Sequence, residues 1–374
     1  MDPVKILKRA WHILWSYRAL WVFGLILAMT AGSSAGSGNN GARFNGDGRN
    51  QSYETTLPDN WREEIGNAFR EVGKAFADLL EEGLPALGIT RSELTALLWI
   101  GAIFILLMLV IGIIMAVARY VSETAVIRMV DGYETTDTKM TVREGFRTGW
   151  SRASWRLFLI NLIVNIPAFV LLAVLIVAGY QIYRLVEGQS EGLAVAGIVG
   201  VIGVVFLTIF VVAILGIVLR LLRHFFWRVC ALEQVGVGES LRRGFAIVRE
   251  NWKEVGLMWL IMVGLGILWI FVSIIAVVLT LPVVLVTGAI AAIVAAIPGL
   301  LLVGLFSTFL NGYLPWIAGA IYVMPLFFTI AFSPWLLLSA WQLIFTSTVW
   351  TLTYREVKAL PAQLPETGDL PATS

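Results

Sequence analysis

The sequence has too few charged residues to cover a water-soluble protein of its length. Of its 374 residues, 14% are Asp, Glu, Lys or Arg and 58% are hydrophobic, and the mean hydropathy is +0.83. Soluble domains carry roughly a quarter of their residues as charges, because polar groups must cover the core. The composition therefore excludes a soluble globular protein and predicts a chain embedded in lipid.

Cysteine and histidine are almost absent. The sequence has one cysteine, Cys230, and two histidines, His12 and His224, which excludes a disulfide framework and a Cys- or His-rich metal cluster. It also contains no phosphate-binding Gly-rich loop, nucleophile elbow or zinc-binding helix. The spacing of one carboxylate cluster matches no calcium loop and is interpreted as an exposed turn: Asp131, Glu134 and Asp137. We therefore predict no catalytic residue, no metal site and no cofactor.

Charged residues fall in blocks, and the gaps between the blocks predict membrane spans. No Asp, Glu, Lys or Arg occurs in five stretches: 19–42, 94–118, 157–183, 192–219 and 255–354. About 20 apolar residues are needed to cross a bilayer core as a helix, so the three middle stretches predict one crossing each. The first stretch is shorter, and its alternative is a cleaved secretory signal. We interpret it as a span.

The hundred uncharged residues at 255–354 leave two interpretations. One span begins near Leu257 and another ends at Tyr354, with five prolines between them, at 282, 298, 315, 325 and 334. The region between is either a Pro-broken hairpin or two further crossings. Small residues recur every four positions in two stripes, a spacing that lets helices approach closely in lipid: Gly288, Ala292 and Ala296, and Ala291, Ala295 and Gly299. We predict six spans, with eight as the alternative.

Orientation is predicted from the Lys and Arg residues of the connecting segments. Segments 119–156 and 220–253 carry seven each, whereas 33–92 carries six against nine acidic residues. Because basic residues accumulate on the cytoplasmic side, both termini of this multi-pass protein are predicted to be cytoplasmic.

The predicted organisation follows from these patterns. Within 33–92, a Gly-, Ser- and Asn-rich part is expected to be flexible, and an apolar stripe predicts an outer helix at about 60–82 that lies on the membrane or binds a partner. The tail contains Leu-Pro-Glu-Thr-Gly at 364–368, which resembles a sortase motif but lacks the apolar span that would follow it.

The predicted segments, in chain order, are 1–32, interfacial helix and span 1; 33–92, extracytoplasmic; 93–118, span 2; 119–156, cytoplasmic loop with helices; 157–222, spans 3 and 4; 223–254, cytoplasmic or interfacial helix; 255–354, span 5, the Pro-broken region and the last span; and 355–374, disordered cytoplasmic tail.

A weak threefold repeat organises the chain. The segments 7–11, 142–146 and 241–245 each combine basic residues, a small residue and a large aromatic residue, and each leads into a span. The repeating unit is therefore an interfacial helix followed by two spans. Thr141 and Glu144 predict a capping box at one of these helices, and Ser240 is the equivalent cap of another. Such helices place aromatic rings at headgroup depth, where their cations meet anionic lipid. The predicted lipid contacts are Lys8, Arg9, Arg143, Arg147, Arg242 and Arg243.

Two asparagines stand out within the third span. Asn161 and Asn165 are four residues apart, hence on one helix face, shortly before Pro167. They are interpreted either as hydrogen-bonding links between helices or as part of a polar cavity. No ionisable residue is expected at the middle of any span, and His224 is expected at the surface beside Arg223.

The chain resembles a known group of membrane proteins. The residues that carry the resemblance are Ile127–Val130, Val142–Arg147, Trp150, Trp155–Phe158, Glu239–Phe245 and Val349–Glu356. They are similar to uncharacterised bacterial six-helix membrane proteins related to the membrane domain of glycerophosphodiester phosphodiesterases. The soluble phosphodiesterase half is absent from this sequence, so the resemblance implies a fold and a location in the bacterial inner membrane, and it implies no activity.

Taken together, the sequence predicts an all-α, polytopic transmembrane helical bundle that is not an enzyme and that interacts with membrane lipids or membrane partners. Anionic lipids are the predicted partners, and nucleic acid is not. Two alternatives remain, a transporter of small molecules or lipids with a cavity near Asn161 and Asn165, and an intramembrane enzyme.

Overall fold

The computed structural model describes residues 1–31, 90–188 and 191–360. The predicted outer helix and the Leu-Pro-Glu-Thr-Gly segment lie outside these residues. The described residues form eleven helices and contain no strand, which confirms the predicted all-α helical bundle. The helices are α1 (Pro3–Ser16), α2 (Ala19–Ala31), α3 (Arg91–Thr136), α4 (Val142–Gly149), α5 (Arg152–Val164), α6 (Ile166–Gly188), α7 (Glu191–Glu233), α8 (Val237–Glu250), α9 (Trp252–Phe306), α10 (Leu314–Ala331) and α11 (Ser333–Ala359).

Several of these helices are long and apolar enough to cross a membrane. Five qualify alone among the described residues, and the number rises to seven if two bent pairs each count as one span. The pairs are α1 with α2, bent by 98°, and α5 with α6, bent by 40°. The predicted six spans lie within this range, so the chain is an integral membrane protein. The inner-membrane location and the cytoplasmic termini stay predictions.

Three helices continue beyond the predicted segment boundaries. Helix α3 continues from span 2 through 119–136, which was predicted as part of a cytoplasmic loop with helices, and ends where Asp137 adopts a left-handed conformation at φ 52°. Helix α9 contains 55 residues and passes through Pro282 and Pro298 without a break. In an apolar environment unpaired backbone groups are so unfavourable that a helix is retained around a proline. Helix α11 extends to Ala359, so the first residues of the predicted tail are helical.

Helices α9 and α10 form an antiparallel hairpin. The chain turns at 307–313, and α10 then packs against the second half of α9. Ala291 and Ala295 are buried there, whereas Ala292 is exposed, so one of the two small-residue stripes faces α10. At the far end of the hairpin, the Thr287 hydroxyl donates to the Ala331 carbonyl at 2.7 Å. The Pro-broken region is therefore two packed helices.

The contacts between helices follow the predicted threefold repeat. The second long helix of each unit, α3, α7 or α11, contacts the other two, so these three form a central triangle. The first long helix of each unit, which follows the interfacial helix, packs outside one seam of this triangle. Helix α2 packs between α11 and α3, and α5 packs between α3 and α7. The first turns of α9 contact α11 and share a buried cluster with side chains of α7 and α11.

The short basic helices α1, α4 and α8 pack around the triangle. Each buries the small residue of the repeated motif, namely Ala10, Gly145 or Gly244, against a neighbouring helix. A Cβ at Gly244 would lie 2.6 Å from the ring of Phe226, so glycine permits this approach. The predicted capping box at Thr141 is confirmed. The predicted cap at Ser240 is wrong, because α8 begins one turn earlier after Gly236.

The molecule thus has two regions, to which we give names. The inner bundle comprises residues 3–31, 119–164, 219–262 and 340–359 and contains most of the buried side chains. The apolar extensions comprise 95–118, 166–218 and 263–339, within the described residues. No residue is buried in the most apolar stretch of α3, α7 or α9. The inner bundle therefore holds the fold together, and the extensions present apolar side chains outward.

Candidate functional site at the helix junction

A polar junction lies where the three central helices meet. It takes one residue from each of them: Glu123 from α3, Arg228 from α7 and Ser347 from α11. The Ser347 hydroxyl donates to Glu123 Oε1 at 2.9 Å, and Arg228 Nη2 donates to the Ser347 carbonyl at 2.9 Å. Arg228 is only 1% exposed. Because each central helix contributes a partner, these bonds fix how the helices sit against one another.

Two more buried arginines flank the junction. Arg119 donates from Nη1 to the Thr30 carbonyl at 3.1 Å, and Arg223 donates from Nη1 to Asn161 Oδ1 at 3.2 Å. Arg223 also lies over the indole of Trp227, at 5.1 Å from its guanidinium carbon to the ring centre. Both arginines are buried on the same helices that carry Glu123 and Arg228.

The junction carries more positive than negative charge. Three buried guanidinium groups lie near the carboxylate of Glu123, and no ion pair within the described residues joins it to any of them. The Nε of Arg228 is buried and has no hydrogen-bond partner among the described residues. Ionisable groups within membrane helices are unfavourable to bury, so such a cluster indicates a functional or strongly structural role.

Asn161 and Asn165 lie at the edge of this junction. Asn161 donates from Nδ2 to the Tyr120 hydroxyl at 2.9 Å and accepts from Arg223, which links α5 to α3 and α7. Asn165 donates from Nδ2 to the carbonyl of Asn161 at 2.7 Å, at the bend between α5 and α6. Asn161 thus connects three helices, and a cavity around the two asparagines stays a prediction.

The six predicted lipid contacts divide into two groups. Lys8, Arg143 and Arg147 are exposed, and no ion pair within the described residues involves them. The other three are held by carboxylates, since Arg9 pairs with Glu134 at 2.7 Å and Arg242 and Arg243 both pair with Glu239. The first group is therefore the better candidate for binding an external anion.

Two carboxylates of the basic helices have lowered pKa values. The backbone N–H of Thr141 donates to Glu144 at 2.7 Å, and this bond is the main reason that the pKa of Glu144 is lowered. At Glu239, the bond from Arg243 lowers the pKa in the same way. Both groups are therefore ionised at neutral pH, and the charge of α8 is partly neutralised within the helix itself.

Ion pairs join the ends of the central helices beside the junction. Glu233 at the end of α7 accepts from Lys358 at 2.8 Å and from the Tyr354 hydroxyl at 2.7 Å, both on α11. Arg355 pairs with Asp131 on α3. These acidic residues serve as ion-pair partners, and the described part of the chain contains no group of His, Cys, Asp and Glu arranged for a metal.

A groove of about 640 Å³ lies on the outer surface of the α3–α5 seam. It is lined by Ile113, Ala116, Val117, Tyr120, Val121, Trp150, Ser151, Arg152, Ser154, Trp155 and Phe158. Trp150 and Trp155 are 67% and 63% exposed, so their rings stand at its rim. Tyr120 is shared with the junction through its hydrogen bond to Asn161. The groove combines apolar walls, aromatic edges and one cation.

Sequence reasoning missed the buried arginines and misplaced one histidine. Arg119 and Glu123 are four residues apart just after the apolar run 94–118, and Arg223 and Arg228 come just after the apolar run 192–219. Their shared position at the end of an apolar run was the signal in the sequence that could have revealed them. His224 was expected at the surface, but its ring stacks on Trp350 with the ring centres 4.8 Å apart. Which side chains a helix buries beyond the end of its span depends on tertiary contacts, so the sequence alone does not reveal them.

Comparison with known proteins gives a family and no activity. No curated protein and no solved structure matches the chain. The resemblance to the membrane domain of glycerophosphodiester phosphodiesterases stays a prediction. A match to a family of unknown function (DUF7544) covers residues 8–353, nearly the whole chain. The protein therefore belongs to this family.

Proposed function

We propose that this integral membrane protein binds anionic phospholipids through its basic helices and is not an enzyme. The observation that carries the proposal is the common arrangement of α1, α4 and α8. Each turns a small residue inward, as Gly145 and Gly244 do, and exposes the following aromatic residue, Trp11, Phe146 or Phe245. Exposed aromatic rings beside cations are the combination that seats a helix at headgroup depth.

Helix α4 is the most favourable of the three for an anion. Arg143 and Arg147 are exposed and are not engaged in ion pairs within the described residues, whereas Arg243 on α8 is held by Glu239 and Glu233. A basic residue near an anionic leaflet contributes about 1 kcal/mol, and salt screens this attraction. The two free arginines of α4 should therefore dominate the salt-dependent part of lipid binding.

The test uses the full-length protein in nanodiscs that contain phosphatidylglycerol and phosphatidylcholine. The double variant Arg143→Gln/Arg147→Gln should lower the preference for phosphatidylglycerol by roughly tenfold or more, since it removes about 2 kcal/mol of attraction. Native mass spectrometry of the retained lipids measures this preference at low and high salt.

The matched control is Arg143→Lys/Arg147→Lys, which keeps both charges and should keep the preference. Equal preferences in wild type and the Gln variant, with no effect of salt, would contradict the proposal. The charges of α4 would then serve only to set topology.

A further inference from the structure

The groove beside α5 has the chemical composition of a phospholipid site. Its floor is apolar and is formed by Ile113, Ala116 and Val117 of α3. One end carries Arg152, which is exposed and has no ion pair within the described residues. A ligand that fits both parts must have a long apolar segment joined to an anionic group.

The groove opens on a surface that faces lipid. Ile113 and Val117 are 58% and 40% exposed, and Ile114 beside them is 60% exposed, on a helix apolar enough to span the membrane. On the α5 side, Leu162 and Ile163 are also exposed. Because the bilayer is the surrounding solvent at this surface, an occupant enters from the membrane and not from water.

The geometry of the groove is fixed by contacts behind it. Gly149 allows the α4–α5 corner to lie directly against α3, because a Cβ at this position would lie 2.5 Å from the carbonyl oxygen of Val121. Arg128 then holds this corner in place, because its Nη1 donates to the Thr148 carbonyl at 2.9 Å and to Ser151 Oγ at 3.2 Å. Its Nε donates to the Ala231 carbonyl at 2.9 Å, so the corner is tied to α7 as well.

These contacts place the cation and the two rings where a headgroup would lie. Trp150 precedes the fixed Ser151, and Arg152 follows it as the first residue of α5. The start of α5 has no side-chain cap, so the positive end of the helix adds to the charge of Arg152. Trp155 stands one turn later on the same rim. Tryptophan favours the depth at which acyl chains give way to headgroups.

We propose that this groove binds one anionic phospholipid, with an acyl chain along Ala116 and Val117 and its phosphate at Arg152. The assignment rests on the proposed function and adds to it a single site of defined stoichiometry. It differs from the attraction to α4, which is diffuse and involves lipids that exchange along a charged surface.

The experiment changes the two ends of the site separately in the full-length protein. Ala116→Phe fills the apolar floor, and Ile114→Phe is its control, since Ile114 is a neighbouring exposed residue that does not line the groove. Arg152→Gln removes the cation, and Arg18→Gln is its control, at an exposed basic residue between α1 and α2 that is not among the proposed lipid contacts. Native mass spectrometry counts the lipids retained after titration with phosphatidylglycerol or with phosphatidylcholine. Thermal unfolding of each variant checks that it is folded.

Ala116→Phe should remove one tightly held lipid from the count, and Ile114→Phe should not. Arg152→Gln should weaken the first phosphatidylglycerol about fivefold and leave phosphatidylcholine unchanged, and Arg152→Lys should restore it. An unchanged lipid count in Ala116→Phe would overturn the site. So would equal effects of Arg152→Gln and Arg18→Gln, because Arg152 would then be one of several equivalent surface charges.

The same measurements separate this proposal from the one on which it rests. If the α4 double variant changes the salt-dependent preference while the groove variants change nothing, the groove proposal fails alone. If Ala116→Phe alters the oligomeric state without altering the lipid count, a second copy of the chain occupies the groove, which also overturns the site.

Discussion

The inner bundle and the apolar extensions use the same apolar residue types in opposite ways. In the inner bundle, Phe23, Leu157 and Met258 are fully buried, whereas Phe206 and Ile293 in the extensions are 72% and 70% exposed. In water such exposure would be strongly unfavourable, at roughly 25 cal/mol per Å² of apolar surface. In lipid it is not, because the acyl chains are as apolar as the side chains. The difference indicates that the inner bundle is held together by packing and that the extensions are stabilised by their solvent.

Polar groups follow the same division. The inner bundle contains the buried arginines and the ion pairs of Glu233, while the extensions contain hydroxyl groups that bond to carbonyls of their own helix, such as Thr208 to Val204. Within a membrane a polar group without a partner is costly, so these groups collect where three helices can supply partners. The inner bundle is therefore the region where substitutions should have the largest effects.

The largest effect is expected at the polar junction. Glu123→Gln keeps the shape of the side chain but leaves the buried arginines 119, 223 and 228 without their carboxylate. Glu123 forms no ion pair with these arginines within the described residues, but leaving buried charges without the carboxylate near them destabilises by up to about 3–5 kcal/mol. Chemical unfolding in one detergent should show a loss of this size. The control is Glu250→Gln, at an exposed position of α8. Similar stabilities for the two variants would show that the junction is not needed to hold the central helices together.

A somewhat smaller effect is expected for a charge placed on the extensions. Ala292 is exposed on α9, far from either end of the helix, so Ala292→Lys puts an ammonium group in lipid. Insertion scales give about 2.5–3.5 kcal/mol for this change at the centre of a span. The control is Ala246→Lys, on the exposed side of α8 in the inner bundle. Membrane-inserted yields measure both, and equal yields would place Ala292 outside the hydrocarbon core.

The smallest effect is expected for an added methyl group, and it should differ between the regions. A Cβ at Gly24 would lie 2.9 Å from the carbonyl oxygen of Ala340, whereas a Cβ at Gly203 in the extensions meets nothing within 4 Å. Gly24→Ala should therefore destabilise by about 1–3 kcal/mol through overpacking. Gly203→Ala should be neutral or stabilise by up to about 1 kcal/mol, because alanine favours a helix. Thermal unfolding compares them, and a tolerated Gly24→Ala would mean that α2 and α11 are loosely packed.

Local patterns in the sequence were sufficient wherever they alone decide the structure. The uncharged stretches predicted the apolar helices, and Thr141 with Glu144 predicted a capping box that the structure contains. The repeated motif at 7–11, 142–146 and 241–245 predicted three equivalent units, and the helix contacts follow it. In each case the signal lies within a few neighbouring residues, so no knowledge of the fold was needed.

Patterns that depend on long-range contacts were less informative. The change from apolar to charged sequence at Arg119 suggested that span 2 ends there and a cytoplasmic loop with helices begins. Helix α3 instead continues, and the charged residues that follow find partners on α2, α7 and α11. Five prolines suggested a broken region, yet α9 passes through two of them. The cations proposed to bind lipid looked equivalent in sequence, whereas ion pairs with Glu134, Glu233 and Glu239 distinguish some of them from the others.

The sequence by itself determined that this chain is embedded in a membrane, is all-helical and repeats one unit three times. Those properties depend on composition and on the spacing of residues along the chain. A bilayer and the geometry of a helix respond to both directly, without any contact between distant residues. Only the tertiary structure decided that the units close into a triangle, that Glu123, Arg228 and Ser347 meet within it, and that a groove with one cation opens beside α5. Residues that are far apart in the sequence form these features, by more than a hundred positions in the junction, and their contact depends on how the helices pack.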